Sequence, residues 1–343
     1  MPTKKSAAMP PSHPGPQAGL DRVLSIEIAR VTEAAAIASA HWRGRGDKNS
    51  ADGAAVKAMR EELAKVNIRG RVVIGEGEMD EAPMLYIGEE LGTGHGPEVD
   101  IAVDPLEGTT ICAEAEPNAL AVIAIAERGG LLNAPDMYMD KIAIGPGYPD
   151  HLIDIDAPVA DNIRKLAKAK GVSVERITVC MLGRPRHDEM LKQVRRCGAS
   201  VRLIRDGDIA GVIWTTDPQK SGIDMYLGSG GAPEGVLAAA ALRCIGGQMQ
   251  GRLKPDKGAD GLAQIERART MGITDINRVY TMQDMASADA IFSASGVTDG
   301  SLLDGVHFRG VFAETETVVM RARTGTVRRI KTTFRMLQTK KPV

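Results

Sequence analysis

The chain has 343 residues, 43% hydrophobic and 25% charged, the make-up of a globular protein of about two domains. Lys plus Arg number 43 and Asp plus Glu 44, a formal net charge of −1, which excludes the basic footprint of nonspecific nucleic-acid binding and any large acidic tail. Aromatics at 3% make base stacking a poor fit, whereas 38 glycines point to tightly turned α/β structure with close backbone approaches.

Residues 1–19 carry Lys4, Lys5 and five prolines without an apolar run, so they read as a disordered tail and lack the core of a signal peptide. Leu24, Ile28, Val31, Ala35, Ala38 and Trp42 recur at steps of three and four, one face of a long helix. The glycines of Arg43–Asn49 break it, and Ser50 is the expected N-cap of a second helix with the stripe Val56, Met59, Leu63, Val66. Extending that stripe backwards places Asp52 on the inward face, a costly position for a carboxylate without a partner.

The period then changes to two. Arg71–Gly75 reads as a strand ending in Glu76-Gly77-Glu78. Val99, Ile101 and Val103 alternate with Asp100, Ala102 and Asp104, a strand that Pro105 is expected to end. Ala119–Ala126 reads as a buried strand and is the longest apolar run, far short of a membrane span. Lys141–Ile144 is another strand. From about Asp161 helices at 161–170 and 188–197 alternate with strand-like Ile177–Leu182, Val201–Ile204 and Gly211–Trp214, the rhythm of parallel α/β units. Val311–Met320 and Val327–Phe334 form a hairpin around Thr324-Gly325. The four cysteines have no CxxC spacing and read as thiols of a reducing cytoplasm.

Three glycine-flanked acidic turns stand at strand ends or helix starts: Glu76-Gly77-Glu78, Asp104-Pro105-Leu106-Glu107-Gly108-Thr109, and Gly230-Gly231-Ala232-Pro233-Glu234-Gly235. In the second, Glu107 can return its carboxylate to the side of Asp104, and Gly108 lets Thr109 approach a ligand. Oxygen donors on rigid turns suit a hard divalent ion such as Mg²⁺. Zinc fits less well, since the six histidines show no ligand spacing. Glu78, Asp80 and Glu81 read as surface acids, and the absence of GxxxxGK[ST] excludes a P-loop enzyme.

Gly44-Arg-Gly-Asp-Lys48 with Ala51-Asp-Gly53, Ile74-Gly-Glu-Gly-Glu78, Asp80–Gly88, Val103-Asp-Pro-Leu-Glu-Gly-Thr109, Asn133-Ala-Pro-Asp-Met-Tyr138 and Gly230–Gly235 together resemble the class II fructose-1,6-bisphosphatases of the metal-dependent, lithium-sensitive phosphatase superfamily. The resemblance runs from about Leu20 to the C-terminal strands. It implies a layered α-β-α-β-α sugar-phosphatase fold, with an N-terminal α+β metal-binding domain at 20–160 and a C-terminal α/β substrate-binding domain at 161–335, the late strands packing back on the first. It implies Mg²⁺ or Mn²⁺ held by Asp52, Glu76, Asp104, Glu107 and Glu234, with Lys48, Asp104, Glu107 and Thr109 catalytic. Thr109 is expected to orient water or to cap the following helix.

Substrate contacts are expected from Glu107, Gly108, Thr109, Tyr138, Arg184, Pro185, Arg186, Asp206, Gly207, Asp208 and Gly231. The arginines follow a strand, where α/β sheets receive ligands, and guanidinium forks suit phosphate. His187 is left outside the site as a packed or surface histidine. Thr110, where the family often has arginine, and Ser229 are departures. The implied reaction converts fructose 1,6-bisphosphate to fructose 6-phosphate and phosphate in a cytoplasmic homodimer or homotetramer that binds neither nucleic acid nor membrane. The alternatives are a sedoheptulose-1,7-bisphosphatase activity alongside it, an inositol-phosphatase-like specificity, or a non-catalytic sugar-phosphate-binding regulator.

Overall fold

The computed structural model describes residues 20–77 and 84–336; the tail at 1–19 and the acids Glu78, Asp80 and Glu81 lie outside the described residues. Helices α1 (Leu24–Ala40) and α2 (Lys48–Leu63) precede β1 (Arg69–Ile74), β2 (Glu90–Leu91), β3 (Glu98–Glu107), α3 (Thr109–Ala113), β4 (Leu120–Glu127) and β5 (Tyr138–Ile144). Then follow α4 (Val159–Lys170), β6 (Thr178–Leu182), α5 (Asp188–Arg196), β7 (Ser200–Ile204), α6 (Asp208–Ile213), α7 (Pro218–Ser221) and β8 (Met225–Gly231). The chain closes with α8 (Ala232–Ile245), β9 (Gln248–Lys254), α9 (Ala259–Thr270), β10 (Val279–Thr281), α10 (Met282–Met285), β11 (Ala290–Gly296), β12 (His307–Arg309), β13 (Phe312–Arg321) and β14 (Thr326–Arg335).

An eight-stranded sheet runs β12-β13-β11-β4-β3-β1-β2, with β14 also paired to β13, and a six-stranded sheet runs β10-β9-β5-β8-β6-β7. Both are mixed: β1 and β3 are parallel, as are β6 with β7 and β6 with β8. Sheet membership follows no single cut in the chain, because β5 joins the second sheet while β11 to β14 return to the first.

The layering follows from side-chain alternation. Along β4, Ala121, Ile123 and Ile125 enter one core with α1 and α2, while Leu120, Val122, Ala124 and Ala126 enter another with α8. Both faces are covered, so the strand is apolar throughout. The second core lies between the sheets and contains Tyr226, Met249 and Leu253 of the six-stranded sheet; that sheet's other face packs Ile142, Val179 and Met225 against Ile163 and Leu166 of α4. The result is the expected α-β-α-β-α stack, with α8 at its centre.

Several local expectations are corrected. Gly211–Trp214 is helical, because Gly207 turns at φ 85° and Asp208 opens α6 there. The cap of α2 is Asp47, whose side chain accepts from Ser50 N, so Lys48 starts the helix. Pro105 does not end β3: the strand runs to Glu107 through a register shift between Asp104 and Glu107, beyond the last pairing with β1 at Ala102. Proline is tolerated at such an irregularity, where no ladder donor is needed.

Candidate active site

Where β1, β3, α2 and the first turn of α8 converge, they wall a cavity of about 940 Å³ between the two sheets. Its lining holds Lys48 and Asp52 from α2, Glu76 after β1, Asp104 and Glu107 from β3, Gly108 and Thr109 at α3, and Glu234 from α8. The other wall holds Tyr138, Arg184, Arg186, Asp206, Gly207, Asp208 and Gly231. Pro185 is not among them; it lines a neighbouring notch of about 300 Å³ with Leu191 and Leu203. Of the expected residues the structure therefore gathers all but Pro185 on one cavity.

Local physics sets each side chain. The alternation of β3 puts Val99, Ile101 and Val103 into the α1/α2 core, so Asp100, Ala102 and Asp104 face the layer between the sheets. Asp100 is neutralised by Arg71 and Arg128 and accepts from Gly129 N at 2.6 Å, whereas the charges that act most strongly on Asp104 are the acids Glu234, Glu76 and Asp52. Gly108 adopts φ 83°, which favours glycine, and opens α3 with Thr109 as the first helical residue. No side chain caps that helix, so the capping role expected for Thr109 is absent. At the cavity floor, a Cβ on Gly231 would lie 1.9 Å from Glu234 Oε2, and one on Gly230 would lie 2.0 Å from Asp208 Oδ2. The double glycine is the space the two carboxylates occupy.

The acids repel one another. Burial raises Asp52, and burial plus the charge of Asp52 pushes Glu76 up to about 7. Asp104 is held well above the carboxylate range by burial and then by Glu234, Glu76 and Asp52; Glu107 likewise by burial, Asp104 and Asp208. Glu234 is raised by burial and Asp208, with Lys141 pulling the other way. Glu107 Oε1 accepts from Ile209 N at 2.8 Å, but Glu107 Oε2 and Glu234 Oε2 are buried without a hydrogen-bond partner among the described residues. Among those residues no three acidic, histidine or cysteine side chains already stand as a closed ligand shell. The fit to a metal rests on the chemistry of the set: hard oxygen donors, two of them orphaned, on five acids that burial destabilises as anions, Asp52, Glu76, Asp104, Glu107 and Glu234. That is the donor set of a hard divalent cation.

The opposite wall carries an arginine turn beside two aspartates. Arg186 donates from Nε and Nη2 to Ser229 O at 3.0 and 2.8 Å and stacks 4.6 Å over the Tyr138 ring, and Arg184 Nη2 stands 3.9 Å from Asp206. This arrangement rests on His187, which is buried. Its Nε2 accepts from Ser229 N at 2.8 Å, so Nδ1 carries the proton and donates to Leu182 O, also at 2.8 Å. The packed reading of His187 is the observed one, and it ties the arginine turn to β8.

Two features escaped the sequence. Asp136, Gln264 and Arg267 also line the cavity. Lys141 lies beneath it, 1% exposed on the side chain, donating to Asp208 Oδ2 at 2.5 Å and Gly231 O at 2.7 Å. Its one sequence signal is a lysine directly before the apolar run Ile142–Ile144.

A family model described as "Bacterial fructose-1,6-bisphosphatase, glpX-encoded" matches residues 22–334. The chain belongs to that family. Among its relatives, the bacterial fructose-1,6-bisphosphatases include Fructose-1,6-bisphosphatase 1 class 2 of Escherichia coli (strain K12), 50% identical over 320 residues covering 90% of this chain and 94% of the relative. Fructose-1,6-bisphosphatase class 2 of Shigella flexneri matches with the same identity and coverage. The match spans every wall of the cavity from Lys48 to Arg267. Among the described residues no helix is long and apolar enough to cross a membrane.

Proposed function

We propose that this chain hydrolyses the 1-phosphate of fructose 1,6-bisphosphate, releasing fructose 6-phosphate and phosphate. The observation that carries the reading is the polarity of one cavity: crowded carboxylates with orphaned oxygens at one end, and an arginine turn at the other. Family membership adds the substrate. We assign Asp52, Glu76, Asp104, Glu107 and Glu234 as the holders of divalent metal, Mg²⁺ or Mn²⁺. When bound, such ions neutralise phosphoryl oxygens, activate water and stabilise the leaving alkoxide.

The chain's own residues divide the remaining work. Arg184 and Arg186 grip the phosphate that is not cleaved, as guanidinium forks do. Asp206 and Asp208 accept hydrogen bonds from sugar hydroxyls, and Tyr138 walls the sugar while Arg186 holds its ring. The Thr109 hydroxyl, at the open end of α3, hydrogen-bonds the attacking water and aims it in line with the phosphorus–oxygen bond. Lys48, at the cavity rim, adds positive charge to the transferring group. Water supplies a hydroxyl to phosphorus, the bond to the C1 oxygen breaks, and a proton ends on that oxygen. In this reading the segment 20–160 supplies four of the five metal-holding acids and 161–335 supplies the phosphate grip.

The test is phosphate release from fructose 1,6-bisphosphate with Mg²⁺, Mn²⁺ or EDTA, for wild type and Asp104→Asn. Activity is expected only with metal, and the substitution is expected to cost at least about 100-fold, the scale of losing one major electrostatic contribution. Turnover in EDTA, or near-normal turnover of the variant, overturns the reading. Sedoheptulose 1,7-bisphosphate and inositol phosphates serve as comparison substrates.

A further inference from the structure

We infer that Lys141 is a positioning residue for this reaction, acting through Asp208 and the β8–α8 junction and not by touching substrate. Lysine is almost never fully buried unless paired, and here the whole side chain is enclosed. Its ammonium bridges two segments far apart in sequence: the opening residue of α6, through Asp208 Oδ2, and the last residue of β8, through Gly231 O. It is not part of the cavity lining.

Each bridged segment delivers something to the cavity. Asp208 is followed by Ile209, whose N–H donates to Glu107 Oε1 at 2.8 Å, so the start of α6 fixes one acid of the opposite wall. Gly231 is the N-cap of α8, three residues before Glu234. Two glycines make room for the ammonium and its stem. A Cβ on Gly230 would stand 3.1 Å from Lys141 Nζ, and one on Gly235 would stand 3.3 Å from its Cδ and 2.8 Å from Met139 Sδ. Glycines on two sides and a charge at the centre describe a fixed fulcrum. Lys141 also balances the charge of Asp208 by direct contact, without consuming a cavity-facing group.

The inference rests on the proposed hydrolysis, and the experiment separates the two. Wild type, Lys141→Met, Asp208→Asn and the double variant are compared by kcat/KM for fructose 1,6-bisphosphate, by the affinity for fructose 6-phosphate in calorimetry, and by Tm. Lys141→Met is expected to lower kcat/KM by about 10- to 100-fold, the scale for removing the group that orients a ligand-contacting residue, and to weaken fructose 6-phosphate binding in parallel. In the Asp208→Asn background the same change should cost less than about twofold in both, since residues acting as a unit are not additive. A lysine that merely holds the fold together would cost the same in either background, with losses tracking Tm. Equal costs in the two backgrounds, or a single variant within about threefold of wild type, overturn the inference. If Lys141→Met does not fold, Lys141→Gln, which keeps a donor for Gly231 O, takes its place under the same criteria. Wild type that releases no phosphate at all refutes the hydrolase reading, whereas active wild type with additive variants refutes only the role of Lys141.

Discussion

Gly231→Ala is the sharpest single test of the acidic end of the cavity. The backbone at Gly231 has φ −61° and ψ 144°, a region open to every residue, so the substitution strains nothing locally. The obstacle is the carboxylate of Glu234, whose Oε2 would lie 1.9 Å and Cδ 2.7 Å from the new methyl carbon. Ordinary contact begins near 3.4 Å, so the oxygen must retreat by about 1.5 Å. Misplacing a reacting constellation by about 1 Å costs roughly 100-fold, which corresponds to about 2.7 kcal/mol of transition-state stabilisation. The expected phenotype is a folded protein, with Tm close to wild type, whose kcat/KM for fructose 1,6-bisphosphate at saturating Mg²⁺ falls by at least that factor. Phosphate release and scanning calorimetry on the same preparations measure both quantities. Retention of more than about a third of wild-type kcat/KM would refute the assignment of Glu234, because a methyl group cannot share that space with a working carboxylate.

Other outcomes follow from the same contacts. Mn²⁺ or Mg²⁺ should raise the Tm of wild type, by mass action on a site present only in the folded state, with about 2.7 kcal/mol of stabilisation at 100 times Kd; Asp104→Asn should show a much smaller rise, and equal rises would count against the ligand set. Glu33 is buried beneath the Thr315 and Thr332 hydroxyls, and burial raises its pKa above the ordinary 4.5. Its contribution to stability is therefore full below the unfolded pKa and lost as pH rises through the folded one. Glu33→Gln should accordingly be more stable than wild type in urea melts at pH 8, with the difference vanishing towards pH 4.5; a variant less stable at pH 8 would contradict this. His187→Ala leaves Ser229 N and Leu182 O without their partner and should cost about 2 kcal/mol or more in denaturant unfolding, with a raised KM as the Arg186 contact to Ser229 O loosens. Unchanged stability would mean that water replaces both bonds.

Much of the architecture was legible because the deciding signals are local. The 3.6-residue stripe of α1, the alternation of β3 and the Thr324-Gly325 hairpin each reside in one short segment, and each acidic turn announces itself by glycine, two of the three also by proline. Gly211–Trp214, expected as a strand, failed for the same reason in reverse. The six-residue apolar run that contains it, Ile209–Trp214, is buried on all sides and has no period to read, and Gly207 with Asp208 decides for helix through a start signal that also reads as a simple turn. The cap of α2 was placed at Ser50, a suitable residue type, but Asp47 takes the role by accepting from Ser50 N. In the cavity, acids at strand ends were visible one by one. Lys141 was not, since its meaning depends on Asp208, 67 residues away, and on a carbonyl 90 residues away. Pro185 was included because it sits between two cavity arginines, yet as the first residue of a 3₁₀ turn it faces the neighbouring notch.

The order of strands in the first sheet has a consequence for synthesis. β4 is apolar from Leu120 to Ala126, and one of its edges is closed by β3, made just before it. The other edge is closed only by β11, whose residues run from Ala290 to Gly296. At about 5–20 residues per second, a ribosome leaves that edge uncovered for roughly 10–35 seconds. A flat, uncharged strand with an open edge is a template for pairing with another nascent chain. The burial that makes β4 the spine of the finished protein thus makes it an exposed apolar edge in the unfinished one.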